Sequence, residues 1–158
     1  MSSPVATKQV VLDASFVIAY CSKEPDTYTK ADAKLSTDYA SGVTFFAPGA
    51  LIQECLYVFC KKAFNGQLNP ADHAIAVDNL IVFLQAIKPP PSGDFSLTGR
   101  SEQIRKSYAC SRTADSIYLA LTEQLAATGP AEIVTFDAQL ENQAKKNAPS
   151  VNVVYLGD

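Results

Sequence analysis

Short unbroken apolar runs alternate along this chain with longer segments whose apolar residues recur every three or four positions. That alternation restricts the fold more than any other feature. Residues 9–12, Gln-Val-Val-Leu, form the first run and stop at Asp13. Helical spacing follows over residues 15–21, and again from Pro25, where Tyr28, Ala31, Leu35 and Tyr39 share a side until Gly42 interrupts. Residues 44–47 read as a second strand, and Pro48 opens a helix carrying Leu51, Ile52, Cys55, Leu56 and Phe59 up to Asn65-Gly66. Asn69-Pro70 starts another, with Ile75, Val77, Leu80, Ile81, Leu84 and Ile87 mostly on one stripe, until Pro89, Pro90 and Pro91 forbid continuation. Ile104 and Tyr108 suggest a short polar helix, and Thr113 caps a strongly apolar one containing Ile117, Tyr118, Leu119, Leu121 and Leu125. Residues 132–136 and 151–156 are two more strands around a polar helix at 138–146. Strands without polar alternation are those covered on both faces. The expected fold is therefore α/β, a three-layer sandwich with a mostly parallel central sheet, in a single domain spanning residues 1–158.

Composition narrows the chemistry. With 13 Lys and Arg against 16 Asp and Glu the formal charge is −3, so the chain does not coat nucleic acid by bulk charge, and any such contact is local. No run approaches the ~18 apolar residues of a membrane span, and the first residues lack a signal-peptide layout, which makes the cytoplasm the expected location. The four cysteines, Cys21, Cys55, Cys60 and Cys110, form no C-x-x-C pair, and Cys55 and Cys60 read as small hydrophobes inside a helix. His73 is the only histidine, which excludes two-histidine metal motifs. Oxygen donors remain.

Four acids stand out. Glu54 interrupts the nearly all-apolar stretch Leu51-Ile52-Gln53-Glu54-Cys55-Leu56-Tyr57-Val58-Phe59, where an unpaired charge costs several kcal/mol. It needs either an Arg or Lys partner or another form of compensation. Asp115 sits at the head of an apolar helix, where the helix dipole alone would also explain it. Asp13 and Asp137 each close a strand, and each is equally suited to capping the helix that follows. In a parallel sheet, ligands bind beyond the carboxyl ends of the strands where strand order reverses. If all four acids converge there, their repulsion either raises a pKa or recruits a divalent cation, and an all-oxygen set suits Mg2+ or Mn2+. Such an ion bridges readily to phosphate, and phosphodiester hydrolysis fits that layout.

Four motifs taken together resemble the PIN-domain ribonucleases, the family that includes VapC-like toxins of bacterial VapBC toxin–antitoxin pairs. They are Val11-Leu12-Asp13-Ala14-Ser15, Ala47-Pro48 leading to Leu51-Ile52-Gln53-Glu54, Thr113-Ala114-Asp115-Ser116-Ile117 with its apolar continuation, and Val134-Thr135-Phe136-Asp137 followed by Leu140. Each is weak alone, but their order and spacing match the family over nearly the whole chain. The resemblance implies an endoribonuclease in which Asp13, Glu54, Asp115 and Asp137 are the catalytic, metal-binding acids. It makes Ser15 and Thr135 the hydroxyls that support them and RNA the substrate. It also implies a cognate antitoxin laid over the first helices, around Tyr28 and Tyr39, and a homodimer. Residues 88–108 are longer and more polar than the family pattern, which suggests a substrate or partner loop.

Few cations are placed to hold RNA. Lys61 and Lys62 lie about two helical turns after Glu54, and Arg112 one turn before Asp115, so all three are candidate phosphate contacts. The alternatives are a solvated helix end for the lysines and an ion pair with Asp115 for Arg112. Two other functions compete with the ribonuclease. One is a non-catalytic PIN-fold module that binds RNA or protein. The other is a phosphoacceptor signalling domain, which wants paired acids after the first strand where this chain has Asp13-Ala14-Ser15.

Overall fold

The computed structural model describes residues 6–110 and 114–158. Five strands form one sheet in the order β3-β2-β1-β4-β5, with every neighbouring pair parallel. They are β1 (Gln9–Leu12), β2 (Thr44–Phe46), β3 (Ile87–Lys88), β4 (Ala131–Thr135) and β5 (Val153–Tyr155). Val10, Val11, Ile133 and Val134 are wholly buried, as continuous apolar strands between two helical layers should be. On one side α1 (Ala14–Cys21), α3 (Ala50–Phe64) and α4 (Pro70–Leu84) pack on one another, and α2 (Tyr28–Ala40) packs on α1. The other layer is α5 (Thr98–Lys106), α6 (Asp115–Ala126) and α7 (Ala138–Asn147), with α6 against β1 and β4. Chain order runs outward from β1 in both directions, so strand order reverses between β1 and β4. Among the described residues, no helix is long and apolar enough to cross a membrane.

Several expectations are corrected. The buried face of α4 is Ala76, Leu80 and Phe83, while Ile75 and Ile81 face outward. The helix is apolar nearly all round, so periodicity alone fits more than one face. Ile87 belongs to β3, not to that helix. Tyr39 is exposed beside a buried Asp38, and Cys60 is exposed because α3 buries Leu51, Cys55 and Phe59, one residue round from it. The residue capping α6 is Ala114, with no side-chain cap bond; Thr113 and Arg112 lie outside the described residues.

At the amino-terminal end of the strands, Glu132 is 2% exposed and Asp38 5%. Both are compensated: Lys8 and Lys34 approach Glu132 at 2.9 and 3.2 Å, and Lys34 approaches Asp38 at 3.0 Å.

Residues 88–108 fold into a 3-10 turn (Asp94–Leu97) followed by α5, and this segment is pinned at two points. Asp94 Oδ1 accepts from the Gly49 N–H at 3.0 Å, placing a carboxylate at the start of α3, where Gly49 offers no cap of its own. A Cβ on Gly49 would meet Asp94 Oδ2 at 2.7 Å. Arg100 grips Glu123 of α6 with Nε and Nη2, at 2.6 and 2.8 Å, and the Asn147 carbonyl of α7 at 2.9 Å. We expect Asp94→Ala to remove a helix cap worth about 1 kcal/mol, lowering Tm by about 3 °C. A melt unchanged by the substitution would show that water replaces the carboxylate fully.

Candidate metal-binding acid site

Asp13 follows β1 and caps α1, its Oδ1 accepting from Phe16 N–H at 3.1 Å and from Ser15 Oγ at 2.7 Å. Its other oxygen, Oδ2, accepts from Thr135 Oγ1 at 2.7 Å, across the β1–β4 reversal point. Both hydroxyls are themselves fixed: Phe136 N–H donates to Ser15 Oγ at 2.9 Å and Asp137 N–H to Thr135 Oγ1 at 2.8 Å. Each hydroxyl thus gives its proton to Asp13 and takes one from the backbone, so the carboxylate has one orientation. The local cause is period two in β4, which turns Thr135 and Asp137 the same way while Phe136 turns toward Phe16, its ring stacked at 6.2 Å.

Burial pushes the Asp13 carboxyl up to about 6, against the pull of its hydrogen bonds from Thr135, Ser15 and Phe16, and the charge on Asp115 adds to the rise. Burial also lifts Glu54 of α3, up to about 7, with the negative charges of Asp115 and Asp13 contributing. The Tyr118 hydroxyl lies beside Glu54 and steadies its charge slightly. The pair lacks the geometry of a full hydrogen bond: among the described residues neither Glu54 Oε1 nor Tyr118 Oη has a hydrogen-bond partner, although both atoms are buried. Asp115, 8% exposed at the start of α6, accepts from Gln143 Nε2 of α7 at 3.1 Å. Asp13, Glu54 and Asp115 therefore meet from β1, from one helical layer and from the other.

Asp137 stands at the rim. Its side chain caps α7, accepting from Gln139 N–H at 2.8 Å, and Thr135 links its backbone to Asp13. Both strand-end aspartates are thus helix caps, as the simpler reading had it, and Asp13 is also a buried member of the acid group. The two lysines are engaged elsewhere. Lys62 pairs with Glu24 at 2.7 Å, and Lys61 lies 5.6 Å from the centre of the Tyr57 ring. Sequence reasoning missed Tyr118 and Gln143. The signal for Gln143 was available, because Leu140, Gln143 and Ala144 share the buried side of α7 and a buried amide needs a partner.

Among the described residues no three His, Cys, Asp or Glu side chains form a group already arranged to hold a metal ion, so the acids interact through their charges and not as a closed ligand shell. The donor set nevertheless fits a hard divalent cation. It is all oxygen, Glu54 Oε1 is buried without a partner, and Asp13 and Glu54 have no Lys or Arg partner among the described residues.

The PIN domain family model matches residues 10–146. The chain belongs to the PIN domain family. Two solved structures share this PIN-domain fold. VapBC2 from Rickettsia felis, bound to a DNA fragment from their promoter, aligns at a TM-score of 0.57 and 15% identity over 93% of this chain and 98% of the other. FitAcB from Neisseria gonorrhoeae aligns at 0.56 and 14% identity over 91% of this chain and 95% of the other. No curated protein sequence matches this PIN domain.

Proposed function

We propose that this PIN domain is a metal-dependent endoribonuclease that hydrolyses RNA phosphodiester bonds as a VapC-like toxin. One observation carries the reading. Buried acids at the amino-terminal end of the sheet, Glu132 and Asp38, have lysine partners, whereas Asp13 and Glu54 at the other end repel each other and have no Lys or Arg partner among the described residues. Asp13 and Glu54, without a basic partner among the described residues in a fold that pairs Glu132 and Asp38 with lysine, are what a cation from solution would neutralise.

Asp13, Glu54 and Asp115, with Asp137 at the rim, would hold one or two Mg2+ or Mn2+ ions, which when bound lower the pKa of water and offset charge on a phosphate. Ser15 and Thr135 hold both oxygens of Asp13 in place, and Gln143 does the same for Oδ2 of Asp115. Ser15 and Thr135 donate to Asp13 and so act as its positioning hydroxyls, and water is the nucleophile. Lys61 and Lys62, where they contact phosphate, do so only after leaving Tyr57 and Glu24, and Arg112 is the third candidate.

The antitoxin part of the proposal draws on a separate groove of about 670 Å³ between α2 and α4, walled by Tyr20, Tyr28, Leu35, Val82 and Phe83. Its shape and apolar walls suit an extended segment of a partner chain.

Incubation of the purified protein with single-stranded RNA tests the activity. Cleavage in millimolar Mg2+ or Mn2+ and none in chelator is the expected result. RNA left intact with either metal would favour the non-catalytic binding module instead.

A further inference from the structure

Beside the acid group lies a second, smaller feature that the proposed chemistry leaves unused. An open pocket of about 440 Å³ is lined by Ala50, Ala114 and Ile117 on one side and by Thr98, Ser101, Glu102 and Arg105 of α5 on the other. Its position follows from the chain. Ala50 begins α3 one turn before Glu54, and Ala114 is the residue before Asp115, so the pocket borders two of the acids. The α5 side is supplied by residues 88–108, the segment that departs from the family pattern.

Its lining has two characters. Ala50, Ala114 and Ile117 give small and branched apolar surface on which a flat ring can rest, and the α5 side gives polar groups. Glu102 is exposed, and among the described residues its carboxylate has neither an ion-pair nor a hydrogen-bond partner. The platform beneath it is rigid. Ser101 Oγ and Ser116 Oγ stand 2.9 Å apart, and Arg100 holds Glu123 and the Asn147 carbonyl, so α5 cannot shift without breaking contacts to α6 and α7.

Single-stranded RNA presents the Watson–Crick edges of its bases, and only guanine carries two adjacent donors there, N1–H and N2–H, matched to the two oxygens of a carboxylate. We infer that this pocket is a guanine subsite next to the bond to be cut, with Glu102 reading the base edge and Ala50, Ala114 and Ile117 supporting the ring. The inference rests on the ribonuclease reading for its substrate. Glu102 is a specificity residue in this account, and residues 88–108 are the element that sets which RNA is cut.

Two measurements test it, one independent of cleavage. The first maps cut sites in a pool of random single-stranded RNA for wild type and Glu102→Gln. The second reads, by fluorescence anisotropy on the Asp13→Asn protein with and without Glu102→Gln, the binding of labelled RNA pentamers carrying one guanine or one adenine among uridines. Guanine should lead adenine by at least about tenfold in both, and Glu102→Gln should move the preference toward adenine, because an amide offers the donor and acceptor that adenine's edge requires. RNA cut without guanine preference, or with a preference that survives Glu102→Gln, overturns the subsite and leaves the nuclease standing. Guanine-selective binding that depends on Glu102, with no cutting, overturns the nuclease and keeps the subsite. Neither binding nor cutting overturns both.

Discussion

Asp13→Asn should lower kcat/KM for RNA on the order of a thousandfold while leaving the protein folded. The second half of that expectation comes from what Asp13 does locally. It caps α1 through an oxygen that accepts from Phe16 N–H, and Asn is as good a helix cap as Asp, so the substitution keeps the cap and removes the charge. The first half comes from the place of Asp13 in the group: it is the acid whose two oxygens are both oriented by hydroxyls, and its charge acts on Glu54. Thr135→Val and Gln143→Leu, which leave all four acids but release one oxygen of Asp13 or Asp115, should lose only about 10- to 100-fold. Circular dichroism at the assay temperature separates loss of chemistry from loss of fold. Retention of more than a tenth of wild-type activity by Asp13→Asn would remove Asp13 from the mechanism.

In chelator, the stability that Asp13 and Glu54 contribute should fall as pH rises from about 4 to about 7, read as a melting-temperature gap between wild type and Glu54→Gln that widens over that range. Asp13 moves from 3.8 in an unstructured chain to about 6 on folding, and Glu54 from 4.5 to about 7. Raised pKa values mean that the folded state binds these protons more tightly than the unfolded state. Their full stability is therefore present below about pH 4 and is lost as pH climbs through the two folded values. Together the two groups account for about 2 to 4 kcal/mol, after discounting Glu54 for its contact with water. Glu54→Gln should thus melt higher than wild type at pH 8 in chelator, by about 5 °C, and gain less from added Mg2+ or Mn2+, since a ligand stabilises only the state that binds it. A lower melting temperature for Glu54→Gln at that pH would mean that its charge is already compensated in the folded chain.

How far such a site is legible without coordinates depends on whether the forces that build it are local. Asp13 was legible because a strand end is a local event, and Glu54 because eight neighbours without a charge make one carboxylate conspicuous. The parallel sheet was legible from the unbroken runs that became β1 and β4. Other features depend on partners far along the chain. Glu132 lies inside a strand with nothing nearby to mark it as paired, and Lys34, which neutralises it, belongs to a helix on the other side of the fold in sequence. α4 has more apolar residues than it needs, so its buried face is chosen by α1 and α3 and not by its own period. β3 is only Ile87 and Lys88, too short to leave a pattern, and exists because β2 offers it an edge.

The sheet order carries a consequence for how the protein is made. β1 is central, yet one of its two neighbours, β4, is among the last strands to be synthesised. A growing chain that has already produced Asp13, Glu54 and Asp115 still lacks Thr135 to orient the first and Gln143 to orient the third. On the proposed function, a chain built in this order cannot complete its acid site on the ribosome before β4 and α7 have been translated, which delays any cleavage of nearby RNA until then.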